Sequence, residues 1–353
     1  MSRPVTGVAP GRVNLIGEHV DYNGGRCLPI ALTRATRAEV VLRDDGLVRV
    51  TSGERTWIGR TDDLADADPW ALYVVGVLLA LDVDHGMDIT ITSDVPVGAG
   101  LSSSAALECS VALAVDEILG LDRSPEELVA ACVRAESETV GAPTGGLDQA
   151  IAIHGQSEHA LLIDFATDTL EQVSFDPAAH GLAVLVIDTK VSHELTDGGY
   201  GSRRDDAWAA AEWLGLDKQA LASATSFDGL REPLLSRARH VVSEVARVDQ
   251  FVAALRADDW AALGPLMDAS HTSLRDDYEV SCEELDVAVE TARQAGALGA
   301  RMTGGGFGGS AIALVPVERV NAVQSAVATA FIARGWAAPD FFVAEPGPGA
   351  RVD

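Results

Sequence analysis

Between an alternating stretch and a helical one, the chain runs Pro96-Val97-Gly98-Ala99-Gly100-Leu101-Ser102-Ser103-Ser104-Ala105, and no other segment restricts the fold as tightly. Ahead of it, Met87-Asp88-Ile89-Thr90-Ile91-Thr92-Ser93 places apolar residues two apart, as in a strand; behind it, Ala105 to Leu119 reads as a helix. The loop therefore ends at a helix N-terminus. There the first backbone N–H groups lack intrahelical partners and the dipole favours negative charge. Gly98 and Gly100 let the main chain approach a ligand, and Ser102, Ser103 and Ser104 add hydroxyl donors and possible metal ligands. A phosphate fits that supply. A serine-capped turn uses the same residue types, but one cap needs one hydroxyl, not three behind two glycines. Neither common phosphate-loop pattern is present: no Gly-Lys-Ser/Thr follows, and Ser103 stands where the dinucleotide pattern has its third glycine.

At 353 residues the chain exceeds the size at which single cores stop growing, so two domains are expected, with a boundary near Asp176-Pro177 giving 1–180 and 181–353. A hydrophobic fraction of 47% supplies both cores, yet no run of eighteen apolar residues appears and Met1-Ser2-Arg3-Pro4 has no signal-peptide pattern. The expectation is a cytoplasmic protein. A formal charge of −27 argues against broad binding to nucleic acid or anionic membrane, both of which need a basic face. A small phosphorylated ligand is still compatible, because a local nest of N–H groups, an arginine and a metal ion outweigh a distant field. Lys190 and Lys218 are the only lysines. Cys27, Cys109, Cys132 and Cys282 show no C-x-x-C spacing, which suits a reducing compartment rather than a zinc site.

In chain order, Gly11 to Gly25 is the first dense segment: Arg12, Asn14, Glu18, His19 and Asp21 crowd together, and glycines break up any long regular element. A solvated loop is also polar, but Leu15 and Ile16 in its middle should bury and hold the polar groups in place. Glu, His and Asp near a Tyr resemble a set for binding sugar hydroxyls. Short β-branched stretches between Thr36 and Arg60 read as a meander of strands. Pro69 to Leu81 reads as a helix, and a further helix from Pro125 to about Thr139 opens on the capping-box pair Ser124 and Glu127. Near its end, Glu136 opposes the helix dipole; it is either a solvated glutamate or a ligand sharing a divalent cation with Ser104. The turn Val140 to Gln149 carries Asp148, an N-cap or a general base. Strands at His159–Phe165 and Leu182–Thr189 precede helices at 200–213, 232–255, 258–277 and 281–294. The last dense segment, Gly299 to Ser310, has five glycines in the six positions from Gly304 to Gly309 and reads as a turn touching the 96–105 loop from the other domain. A strand at 311–315, a helix at 318–334 and a loose tail from Pro346 to Gly349 complete the chain.

Taken together, these segments resemble the galactokinases of the GHMP small-molecule kinase superfamily, from about Ala9 to Val343. Gly11 to Tyr22 is similar to the galactokinase pattern Gly-Arg-x-Asn-Leu-Ile-Gly-Glu-His-x-Asp-Tyr; Pro96 to Ala105 and Arg301 to Gly309 are similar to two motifs of the whole superfamily. The resemblance implies an α+β, two-lobed fold with mixed sheets and the active site in the cleft between lobes. It implies ATP-dependent phosphorylation of the C1 hydroxyl of galactose, with Asp148 as base and Arg12 beside it; a monomer acting on small molecules alone is the expected form. Glu18, His19, Asp21, Gly145 and Tyr200 would line the sugar pocket. Pro96, Gly98, Ala99, Gly100, Leu101, Ser102, Ser103 and Ser104 would hold the ATP phosphates, and Ser104 with Glu136 would hold Mg2+. Two departures stand out. Only ten residues precede Gly11, where the family commonly has a longer leader, and Thr144-Gly145-Gly146-Leu147 replaces the commoner Cys-Gly-Ile-Met, so that Gly146 is expected to loosen the pocket wall. The competing readings are a kinase of N-acetylgalactosamine or arabinose and a non-catalytic sensor of galactose and ATP; an intact Ser102-Ser103-Ser104-Ala105 favours catalysis over sensing.

Overall fold

The computed structural model describes residues 3–61, 63, 67–142, 144–191 and 199–353. It begins with β1 (Val5–Asn14), a strand that Pro10 and two glycines hide from a period-two reading. The glycine-punctuated segment at Gly11 thus starts inside a strand. β2 (Arg26–Cys27), β3 (Pro29–Arg43), β4 (Val48–Ser52) and β5 (Arg55–Gly59) follow, then α1 (Pro69–Ala80), β6 (Gly86–Ser93) and α2 (Ser103–Leu119). Next come α3 (Pro125–Arg134), a π-helical turn (Ala135–Val140) and α4 (Leu147–His154). The second half holds β7 (His159–Asp164), β8 (Thr169–Ser174), β9 (Leu182–Asp188), α5 (Gly199–Trp213), α6 (Leu234–Arg256), α7 (Trp260–Asp276) and α8 (Glu283–Gln294). It closes with β10 (Gly299–Thr303), β11 (Ser310–Pro316), α9 (Val320–Ala333), β12 (Asp340–Ala344) and β13 (Arg351–Val352).

The first sheet has the order β13-β1-β3-β6-β4-β5, and here the expected meander needs correction. β6 lies between β3 and β4, antiparallel to the first and parallel to the second. Adjacency in sequence favours a β3–β4 hairpin. The strand pairs otherwise: β6 turns Met87, Ile89 and Ile91 to the buried face and is hydrogen-bonded along both of its edges. α1 and α2 cover this sheet through Val74, Leu78, Val111 and Val115, packed with Val40, Val50 and Met87. The capping box that opens α3 forms in both directions between Ser124 and Glu127.

The second large sheet, β10-β11-β9-β12, is antiparallel throughout. One face of it packs with the later helices through residues such as Leu185, Ile187, Val289 and Phe331. A third apolar cluster joins the two halves. Val13, Leu15, Ile16 and Ile30 meet Val184, Val186 and Ile312 as well as Phe251 and Met267, so the early polar segment is anchored from below as its two apolar residues suggest. The expected loose tail is docked: Gly347 N–H donates to Ala31 O at 2.8 Å and Ala350 N–H to Ala152 O at 2.7 Å, and β13 pairs with β1. Glycines signal freedom in sequence, but here they let the chain lie against backbone. Among the described residues no helix is long and apolar enough to cross a membrane.

Candidate active site

A cleft of about 490 Å³ lies where the end of β1, the start of α2, the turn before α4 and the β10–β11 turn converge. Arg12 reaches it from the last turn of β1 and Asp148 from the first turn of α4, so Asp148 is not the N-cap, a place taken by Gly146. The two side chains form a fork: Arg12 Nε donates to Asp148 Oδ1 at 2.8 Å and Nη2 donates to Oδ2 at 2.9 Å. Arg12 Nη1 donates to Gly100 O at 2.6 Å, and the Ser102 hydroxyl donates to Asp148 Oδ2. A carboxylate has about four lone-pair directions, so three bonds leave one on Oδ1 for an incoming hydroxyl.

The five residues expected around a sugar, Glu18, His19, Asp21, Gly145 and Tyr200, all line the cleft. His19 holds its Nδ1 2.8 Å from the Tyr22 hydroxyl, which in turn meets the Tyr278 hydroxyl at 3.1 Å, while its Nε2 has no protein partner among the described residues. Burial, reinforced by His240, pulls His19 down to about 3, so its imidazole is neutral at physiological pH. Burial pushes the Asp21 carboxyl up to about 7, with the Asp148 and Glu18 charges adding to it. Tyr200, from the start of α5, places its ring 5.3 Å from that of His19. Gly145 is required by close approach: a Cβ there would stand 2.0 Å from Asp21 Oδ2. Gly146 behaves differently from expectation. Its φ is +92°, and an added Cβ would touch Val133 on α3 rather than project into the cleft, so the missing side chain does not widen the pocket wall. Pro143, in the same turn, lies outside the described residues.

Of the loop residues expected at the phosphates, Gly98, Gly100, Leu101, Ser102, Ser103 and Ser104 line the cleft, whereas Pro96 and Ala99 do not. Ala99 faces inward and accepts a hydrogen bond at its carbonyl from Ser310 Oγ at 2.7 Å. The β10–β11 turn therefore does touch this loop. Gly304 shows how closely: its φ is +85° and a Cβ would stand 2.8 Å from Gly100 O. The same turn is latched to the first segment, because Glu18 Oε1 accepts from Gly304 N–H at 2.8 Å and from Thr303 Oγ1 at 3.2 Å, and its Oε2 accepts from Asn14 Nδ2 at 3.0 Å. Glu18 thus spans the two lobes. The buried Arg301 adds to that latch, donating from Nη1 to Asn14 O at 3.0 Å.

Glu136 is not solvated. The π-helical turn swings it inward, where Gln149 Nε2 donates to its Oε2 at 2.7 Å and the Ser104 side chain lies beside it. Burial and the Asp148 charge push Glu136 up to about 7. Behind it, Glu108 of α2 is pushed up to about 11 by burial and by Glu136, and it accepts at Oε2 from the same Gln149 nitrogen at 3.0 Å. Glu108 escaped the sequence reading: it sits in an ordinary-looking helical stretch, and only the tertiary fold gives it a partner. Tyr73, on the cleft wall from α1, lies in a helix whose apolar run offers no polar pattern to notice.

Residues 72–156 match the family described as GHMP kinases N terminal domain and residues 251–333 match GHMP kinases C terminal. With two lobes closing on a glycine- and serine-rich loop at a helix N-terminus, these matches define a small-molecule kinase of the GHMP class. Residues 2–41 match the Galactokinase galactose-binding signature. The chain belongs to the galactokinase family. It is 45% identical to a galactokinase of Streptomyces coelicolor over 97% of this chain and 92% of that one, and 41% identical to a galactokinase of Mycobacterium tuberculosis over 97% of each. The crystal structure of Lactococcus lactis galactokinase complexed with galactose has a TM-score of 0.93 at 34% identity, covering 99% of this chain and 95% of that one. A mevalonate kinase of L. major, at 22% identity and a TM-score of 0.69, shares the fold.

Proposed function

We propose that the protein transfers the γ-phosphoryl group of ATP to the C1 hydroxyl of galactose, with Asp148 as general base and Arg12 as its partner. One observation carries the residue-level reading: Asp148, Arg12, the Gly100 carbonyl and Ser102 form a single hydrogen-bonded unit, so the base and the phosphate loop share one guanidinium. The forked ion pair sets the orientation of the Asp148 carboxyl group. Glu18, His19, Asp21, Gly145 and Tyr200 hold the sugar. The neutral Nε2 of His19 and the Asp21 carboxyl supply directional partners for hydroxyl groups, and the Gly145 turn leaves room beside them.

Phosphoryl transfer relies on positioning and on charge stabilisation more than on covalent chemistry by the protein. The loop from Pro96 to Ser104 offers N–H groups and hydroxyls at the N-terminus of α2, where the γ-phosphate would sit within reach of Arg12. GHMP kinases use ATP, generally with Mg2+. The residues present fit that ion: the Ser104 hydroxyl and Glu136 carboxylate are hard oxygen donors side by side, and the raised affinity of Glu136 for a proton marks a buried charge short of a cation. When bound, Mg2+ would offset charge on the β- and γ-phosphates. Glu136 is oriented for that task by its hydrogen bond from Gln149, with Ser104 beside it.

We divide the chain into lobes at 1–180 and 181–353; the strands of the six-stranded sheet other than β13 precede the boundary, and β9 to β12 follow it. Four free thiols, three of them buried, suit a cytoplasmic site of action, and we read the active unit as a monomer. The test of the catalytic pair is Asp148→Ala. Turnover should fall by roughly 10²–10⁴, the usual size of a general-base contribution, with galactose affinity reduced far less. Turnover near that of the unaltered protein would remove Asp148 from the role of base. ATP consumption against galactose, N-acetylgalactosamine, arabinose, glucose and mevalonate tests the choice of sugar.

A further inference from the structure

We propose that Glu108 is a positioning residue for the cation-holding carboxylate: it anchors the side-chain amide of Gln149, and that amide fixes Glu136 beside Ser104. This inference rests on the reading of Glu136 and Ser104 as the residues that hold Mg2+.

Gln149 Nε2 divides its two N–H groups between Glu108 Oε2 at 3.0 Å and Glu136 Oε2 at 2.7 Å. As placed, the one nitrogen serves both carboxyl groups at once, and turning the amide over would give up both of these bonds. The carbonyl end does not hold it, since Gln149 Oε1 meets the Thr144 hydroxyl only at 3.5 Å, the outer limit of a hydrogen bond. The three residues come from three elements. Glu108 lies on α2, whose first turn carries Ser104; Glu136 lies on the π-helical turn; Gln149 follows Asp148 on α4. One amide therefore links the phosphate-loop helix, the cation-holding turn and the helix of the base.

Glu108 itself is fully buried and does not line the cleft. Its Oε1 has no hydrogen-bond partner among the described residues. A buried polar atom left in that condition costs stability, and an apolar side chain of similar size would fill the place at less cost. Packing alone does not account for a carboxyl group there. Its bond to Gln149 does, because without it the amide is free to rotate away from Glu136.

The experiment measures Mn2+ binding, as a paramagnetic substitute for Mg2+, to the full-length protein with a non-hydrolysable ATP analogue, by electron paramagnetic resonance. Glu108→Leu and Gln149→Leu should each weaken Mn2+ about tenfold, the low end for groups standing behind a metal ligand, and raise the half-saturating Mg2+ in turnover alike, with KM for galactose changing less than about twofold. Glu108→Gln should stay close to the unaltered protein, since its carbonyl still accepts from Gln149. The thermal midpoint of Glu108→Leu should not fall, which separates positioning from a structural role. Unchanged Mn2+ affinity in Glu108→Leu, with affinity lost in Glu136→Ala, overturns the role of Glu108 and leaves the cation site standing, whatever Gln149→Leu shows. Unchanged affinity in Glu136→Ala overturns the cation site itself and the positioning role with it. Should Glu108→Leu not fold, Glu108→Met, which also removes the acceptor from Gln149, carries the same comparison.

Discussion

Asp21 and His19 both line the cleft and answer burial in opposite senses. An imidazole loses its charge when buried and a carboxyl keeps its proton, so His19 falls to about 3 while Asp21 rises to about 7. His19 then contributes no change between pH 6 and 8, and Asp21 does. A carboxyl raised this far is protonated on the acid side, where it offers a sugar fewer acceptor sites. With saturating Mg2+ and ATP, kcat/KM for galactose should therefore decline as the pH drops below about 7, and Asp21→Asn should flatten that limb. A limb that persists in Asp21→Asn would assign the titration elsewhere. Both residues were legible in the sequence as part of a dense polar segment, but their opposite responses were not, because burial is a property of what packs above them. Glu136 makes the same point more sharply: near a helix end it reads as solvated, and a single π-helical turn buries it.

At the level of elements, the glycine-rich β10–β11 turn is held against the phosphate loop by Ser310, whose hydroxyl is the donor for the buried Ala99 carbonyl. Ser310→Ala leaves that carbonyl without its donor, a loss of about 1–3 kcal/mol. The KM for ATP should rise and the thermal midpoint fall, while the KM for galactose holds. An unchanged KM for ATP would mean the loop keeps its shape unaided. The sequence announced this contact through five glycines in a row of six, since close backbone approach has few other signatures. It announced β6 and α2 equally well through their periods, and α3 through its capping box. It hid β1 behind Pro10, and it suggested a meander where β6 intervenes, because pairing between distant strands depends on burial that local patterns do not record.

Across the whole molecule, a formal charge of −27 spreads like charges over both lobes. The compact state suffers from this self-repulsion at low salt, and the screening distance shrinks from about 30 Å at 0.01 M to about 3 Å at 1 M. The thermal midpoint should therefore climb with NaCl across that range. A falling midpoint would show that surface ion pairs such as Arg37–Asp353 and Arg26–Asp249 outweigh the net charge.

The return of residues 346–352 to β1, β3 and α4 has a consequence for biosynthesis. A ribosome delivers β1 early, yet β13, which pairs with Gly7 and Val8, emerges only after the entire second lobe. The first lobe cannot mature vectorially; its oldest strand waits for the youngest. A chain shortened after Ala344 should accordingly show a protease-sensitive first lobe, and equal resistance in limited proteolysis would mean that the lobe closes without its late-arriving strap.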